Sequence, residues 1–146
     1  IKAVTILSKK KIGALIVVEQ SVGLRNYVES GITLDSNISS ELLVTIFMPT
    51  TPLHDGAVII QGEKIAASGC LLPLTTNPNV SKTLGTRHRA AIGITEESDA
   101  VCIVLSEKTG IVSFVEKGRI KRDLEIDNLK KLLAKSLFKN MEKKKT

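Results

Sequence analysis

The sequence predicts an α/β domain in three layers, with a central mixed β-sheet flanked by helices. Three observations predict it. Residues 13–19 (GALIVVE) form a continuous apolar run bounded by glycine and charge, the pattern of a strand buried on both faces. Helical patterns at residues 39–48, 86–97 and 127–139 are mixed along the chain with short strand patterns. No segment repeats, which sets aside solenoids and propellers. The 146 residues, 42% of them hydrophobic, suit one globular domain with a sizeable core. That core is expected over about residues 11–139, with a basic tail at 140–146.

Taken in order, Ile1, Val4 and Leu7, with Ile6 beside them, recur at helical spacing, predicting a short helix that ends at the lysines. The buried strand at 13–19 follows. Residues 21–30 are polar and irregular, with a helical turn near 24–28, and residues 31–35 read as a short edge strand. Ser39 or Ser40 can cap a helix over 41–48, which Pro49 stops. Residues 49–56 read as a loop. Residues 57–61 and 64–69 pair as a hairpin around Gly62-Glu63. Residues 70–76 lead into a polar loop at Asn77-Pro78-Asn79. A helix over 86–97 is followed by strands at 99–105 and 110–116, joined by a turn at Lys108-Thr109-Gly110. Asp127 is the expected cap of a last helix reaching about residue 139.

Composition excludes several functions. The chain has one Tyr, three Phe and no Trp, so it lacks the aromatic faces on which single-stranded nucleic acids stack. Net charge is +6, but much of the excess sits in Lys9–Lys10–Lys11 and in the lysines at 143–145. Those runs read as solvated ends, or as a weak attraction to an anionic membrane surface. Nothing resembles a nucleic-acid footprint. Cys70 and Cys102 have no zinc-like spacing and read as buried free thiols of a reducing compartment. No apolar run approaches the roughly 20 residues that span a bilayer. The chain starts at Ile1 rather than Met, as a piece cut from a longer protein would.

Two segments carry chemistry. Thr51-Pro52-Leu53-His54-Asp55-Gly56-Ala57 places a carboxylate on a tight turn before an apolar strand. Asp-Gly is also an ordinary turn dipeptide. Here, however, His54 adds a second potential metal or hydroxyl ligand, and Gly56 and Ala57 leave room for a ligand to approach the backbone. The second segment is Gly85-Thr86-Arg87-His88-Arg89. With Thr86 as N-cap, Arg87, His88 and Arg89 fill the first turn of a helix, where the macrodipole disfavours cations. A local rule broken in this way marks a functional site. Free N–H groups, the Thr86 hydroxyl and two guanidinium forks make a trap for a triphosphate. Surface pairing of Arg87 and Arg89 with carboxylates is the competing reading. Ser106 and Glu107 close a predicted strand, as turn residues or as further site groups. Leu71-Leu72-Pro73 reads as core packing or as a wall facing a purine.

These segments resemble a known family. HDGA at 54–57, GTRHRAA at 85–91 and GALIV at 13–17 are similar to the diadenylate cyclase (DAC) domain, and SSELL at 39–43 with TPLHDGAVI at 51–59 to its membrane-anchored CdaA/DacA-type branch in Gram-positive bacteria. The resemblance covers about residues 11–133. It implies condensation of two ATP molecules to cyclic di-AMP and two pyrophosphates, with Mn²⁺, Mg²⁺ or Co²⁺, across a face-to-face homodimer. It implies that Asp55 serves the attacking ribose 3′-hydroxyl, with Gly56 and Ala57 completing that motif. Gly85, Thr86, Arg87, His88, Arg89 and Ser106 would bind the nucleotide, Leu72 would lie against adenine, and His54 and Glu107 would touch the metal. Position 71, often aromatic in such domains, is leucine here. The resemblance further implies transmembrane helices in the full protein, a catalytic domain on the cytoplasmic side, and association with a YbbR-type regulator and phosphoglucosamine mutase. The runner-up is a non-catalytic adenine-nucleotide sensor, which would keep the phosphate trap without the carboxylate.

Overall fold

Side-chain alternation along β1 (Ala14–Val18) sets the layering. Ala14 and Ile16 pack into one hydrophobic cluster, Leu15 and Val17 into another, and all four are buried. A strand apolar on both faces must be covered on both. The computed structural model describes residues 1–145, with side chains through residue 137. In chain order the elements are α1 (Lys2–Lys9), β1, α2 (Arg25–Glu29), β2 (Ile32–Asn37), α3 (Ser40–Phe47), β3 (Ala57–Gln61), β4 (Lys64–Cys70), α4 (Thr86–Glu97), β5 (Val101–Leu105), β6 (Val112–Glu116), β7 (Arg119–Lys121) and α5 (Ile126–Lys145). The seven strands form one mixed sheet in the order β2-β4-β3-β1-β5-β6-β7. Among the described residues only β1 and β3 pair in parallel; the other neighbours are antiparallel.

Helices α1, α3 and α5 bury Leu7, Phe47 and Leu129 against the face carrying Ile16 and Phe114. Helix α4 covers the opposite face with Ala91, Ile92 and Ile94, against Val17 and Val104. The predicted three-layer α/β arrangement is therefore present. Ser39 caps α3, its hydroxyl accepting from the Leu42 N–H at 3.0 Å. Met48 then turns extended ahead of Pro49, as a residue before proline must.

Four details differ from the sequence reading. Strand β2 continues to Asn37, bulging where Asp35 takes a positive φ of 46°. Strand β7 was not expected: its Arg-Ile-Lys carries no apolar pattern and lies at the sheet edge. It returns from β6 through Lys117 and Gly118, both at positive φ (52° and 73°), a pair of values that suits a tight hairpin. Helix α5 begins at Ile126, so Asp127 lies inside its first turn rather than capping it. The helix also runs past residue 139 to Lys145, because its Lys, Glu and Met residues are good helix formers. The side chains of the 143–145 lysine run lie outside the described residues.

Candidate active site

Strand direction gathers the candidate residues at one end of the sheet. Parallel strands β1 and β3 both begin there, and the antiparallel strands β4 and β5 both finish there. Ala57 of β3 lies opposite Cys70 of β4, and Ala14 of β1 opposite Leu105 of β5. The segments just outside these positions are Asp55-Gly56, Leu71-Leu72, Gly13 and Ser106-Glu107. The start of α4 arrives over the same end. Between them lies a cavity of about 580 Å³, lined by Asp55, Leu71, Leu72, Thr86, Arg87, Glu107 and others. That volume falls in the range of small-molecule sites.

Asp55 is exposed to the cavity and held by its backbone. Gly56 has a φ of +115°, and a Cβ there would stand 2.7 Å from the Gly69 carbonyl carbon and 2.8 Å from the Cys70 oxygen. The turn bearing Asp55 is thus wedged against the end of β4, which only glycine permits. Leu71 is 70% exposed at the cavity mouth. Its N–H donates to Ser30 Oγ at 2.9 Å, tying this wall to the end of α2.

Helix α4 sits close to that wall. A Cβ on Gly93 would lie 1.9 Å from the Pro73 carbonyl oxygen, and the Thr75 N–H donates to the Arg89 carbonyl at 3.0 Å. The N-cap is Gly85, in extended geometry, and Thr86 is the first helical residue rather than the cap. Glycine has no side chain to accept from the first-turn N–H groups, and the first turn holds no acidic residue. Unclaimed N–H groups at the positive end of the macrodipole are a ready anion site.

The two arginines of this segment separate. Residues two apart are turned by roughly 200° on a helix. Arg87 faces the cavity: its guanidinium lies over Gly13, where a Cβ would come within 2.5 Å of it, and Nη1 is 3.8 Å from Glu107 Oε1. Arg89 turns to the preceding loop, with Nε donating to the Leu84 carbonyl (3.2 Å) and Nη2 to that of Ser81 (3.3 Å). It does not line the cavity. His88 is buried at the cavity wall, and burial first, then the charges of Arg122 and Arg87, holds its imidazole below the usual range. Burial thus favours the uncharged imidazole here.

Ser106 also lines the cavity, and its hydroxyl accepts from the Lys108 N–H at 3.3 Å, which shapes the turn carrying Glu107. His54 lies outside the lining, its Nδ1 donating to the Thr51 carbonyl at 2.5 Å, which leaves Nε2 with a lone pair. Sequence reasoning missed Lys108 and Arg122, both of which line the cavity. Neither sits in a recognisable pattern.

Among the described residues no three His, Cys, Asp or Glu side chains converge as a metal cage. Asp55 and Glu107 nevertheless present two carboxylates to one cavity. Mg²⁺-like ions are usually held by one or two carboxylates together with substrate phosphates. The donor set fits an ion that arrives with a nucleotide, not one resident in a preformed site.

Residues 1–120 match the family model described as DisA bacterial checkpoint controller nucleotide-binding (DAC). The chain is 49% identical over 139 residues to the cyclic di-AMP synthase CdaA of Bacillus subtilis, covering 95% of this chain and 51% of that protein. It is 49% identical over 143 residues to a diadenylate cyclase of Listeria monocytogenes, covering 98% and 52%. The chain thus spans about half the length of these curated relatives. The crystal structure of a double mutant of DacA from Staphylococcus aureus superposes with a TM-score of 0.91 at 53% identity, covering 94% of this chain and 91% of that one. A hypothetical membrane spanning protein from Bacillus cereus superposes with a TM-score of 0.81 at 45% identity, covering 84% and 60%.

Proposed function

The chain belongs to the DAC family of nucleotide-binding domains, and from that membership we propose that it is a diadenylate cyclase, joining two ATP molecules into cyclic di-AMP with release of two pyrophosphates. One observation carries the reading: Asp55 and the Thr86-Arg87 helix start line a single cavity. In each half of the reaction a ribose 3′-oxygen bonds to an α-phosphorus, and the bond from that phosphorus to pyrophosphate breaks. Two such steps close the ring. Asp55 accepts a hydrogen bond from the 3′-hydroxyl and aims its oxygen. The first-turn N–H groups of α4, the Thr86 hydroxyl and Arg87 hold phosphate oxygens and stabilise the charge that develops on the leaving group. Leu72 lines the base.

A carboxylate is too weak a base to take a ribose proton unaided. A divalent cation, Mn²⁺, Mg²⁺ or Co²⁺, supplies the missing acidity of the hydroxyl and neutralises phosphate charge when bound. Asp55 and Glu107 are the groups placed to hold it, with His54 Nε2 available beside Asp55 in sequence. The test is incubation with ATP and Mn²⁺ followed by mass detection of cyclic di-AMP. Binding of ATP without any ring product would make the domain a nucleotide sensor instead.

One cavity accommodates one ATP, while the product contains two adenylates. Two copies must therefore meet face to face, each presenting its own nucleotide. Leu71 and Leu74, 70% and 51% exposed at the cavity, lie on the surface that would turn toward a twin. Specific activity is expected to fall on dilution below the dimer dissociation constant. A flat value across that range would exclude the two-copy mechanism. Among the described residues no helix is long and apolar enough to cross a membrane. We place the domain on the cytoplasmic side of a membrane protein, where a YbbR-type regulator and phosphoglucosamine mutase would be its partners.

A further inference from the structure

We propose that Arg122 is a substrate-binding residue of this cavity, taking the terminal phosphates of the nucleotide, which leave as pyrophosphate; this rests on the reading of the cavity as an ATP site. Strand β7 delivers it. Lys121 pairs with Phe114 of β6, and β7 runs in the same direction as β5, so the chain leaves β7 toward the sheet end where β5 finishes. Arg122 is the next residue, exposed, and lines the cavity with Thr86 and Arg87.

The order of strands gives the cavity a direction. Leu72 enters from β4, Asp55 from β3, Arg87 above β1, Glu107 from β5 and Arg122 from β7. A nucleotide with its base at Leu72 and its ribose at Asp55 extends its phosphates past Arg87 toward Arg122. Arg87 is already engaged, lying on Gly13 and facing Glu107. Arg122 has neither an ion pair nor a hydrogen bond among the described residues. Arg122 shares the cavity lining with Thr86, Arg87 and His88, the first residues of α4. A free planar fork suits phosphate oxygens better than a lysine does, since it donates two parallel hydrogen bonds.

Two ligands separate this role from a general one. 3′-Deoxy-ATP carries the full triphosphate but no attacking hydroxyl, whereas cyclic di-AMP has no terminal phosphates. Calorimetric titration of Arg122→Ala is expected to show affinity for 3′-deoxy-ATP lower by about tenfold or more, the scale of a charge-assisted contact. Affinity for cyclic di-AMP should be unchanged, and Arg122→Lys should fall between wild type and alanine. Thermal melting of both variants should match wild type, because the side chain is exposed. An unchanged affinity for 3′-deoxy-ATP overturns the proposal, and so does an equal loss for both ligands. Wild-type protein that fails to bind 3′-deoxy-ATP at all overturns the ATP reading of the cavity, and the role of Arg122 with it.

Discussion

Asp55→Asn is expected to lower turnover by about 10²–10⁴-fold, the range for removing a positioned proton-handling group, while ATP binding survives. The side chain is exposed and of equal size in the variant, so stability should hold within about 0.5 kcal/mol. The sign of the binding effect can also be argued. Asp55 is a carboxylate in the cavity proposed to take a polyanion, and its removal leaves Arg87, Lys108 and Arg122 opposed only by Glu107 among the lining residues. Affinity for 3′-deoxy-ATP should therefore stay equal or rise when no metal is present. With a divalent ion it should fall, if Asp55 shares the ion with the phosphates. Cyclic di-AMP formation followed by chromatography, beside calorimetry with and without Mn²⁺, separates the two effects. A matched loss of turnover and metal-free binding would make Asp55 an affinity residue and remove its role toward the 3′-hydroxyl.

Most elements of this fold were legible because their signals are local. Ser39 announces α3, and the apolar run around Leu15 and Val17 announces a strand covered on both faces. The strand order was not legible, because β1 pairs with β3 across an intervening helix–strand–helix excursion that leaves no mark on either strand. Strand β7 escaped notice because an edge strand of Arg-Ile-Lys has only half a face to bury. The Lys117-Gly118 pair was its one available signal.

The site was legible in part for the same reason. The helix range 86–97 holds, but the cap is Gly85 rather than Thr86, whose hydroxyl makes it the more visible candidate; the unclaimed first-turn N–H groups proposed to hold phosphate do not depend on which residue caps. Reading Thr-Arg-His-Arg as one cationic block ignored helical geometry. Only Arg87 of its two arginines lines the cavity, Arg89 braces the loop at Ser81 and Leu84, and burial disfavours the charged form of His88. The cation that replaces Arg89 at the cavity, Arg122, comes from a segment more than thirty residues further on, and only the register of β6 and β7 brings it there.

Gly56→Ala is expected to unfold the Asp55 turn, and Gly62→Ala reveals why. Both glycines flank β3 and both have positive φ, +115° and +60°. At Gly62 an added Cβ meets nothing within 4 Å, so alanine there costs only its left-handed conformation, about 1–2 kcal/mol. At Gly56 the same methyl meets three backbone atoms of Gly69 and Cys70 within 3 Å. Backbone cannot rotate aside as a side chain can, so β4 or the Asp55 turn must move. Adding an overpacking cost to the conformational one gives about 2–6 kcal/mol in total. For a domain of this size that lowers the melting temperature by roughly 5–20 °C. Activity should drop even at temperatures where the variant stays folded, because relieving the clash shifts the Asp55 carboxylate within the cavity, and a displacement of about 1 Å can cost 10²-fold in rate. Differential scanning calorimetry and cyclic di-AMP assays on both variants decide it. If Gly56→Ala melts with Gly62→Ala and keeps full turnover, the wedge between this turn and the end of β4 does not position the Asp55 carboxylate proposed to serve the 3′-hydroxyl.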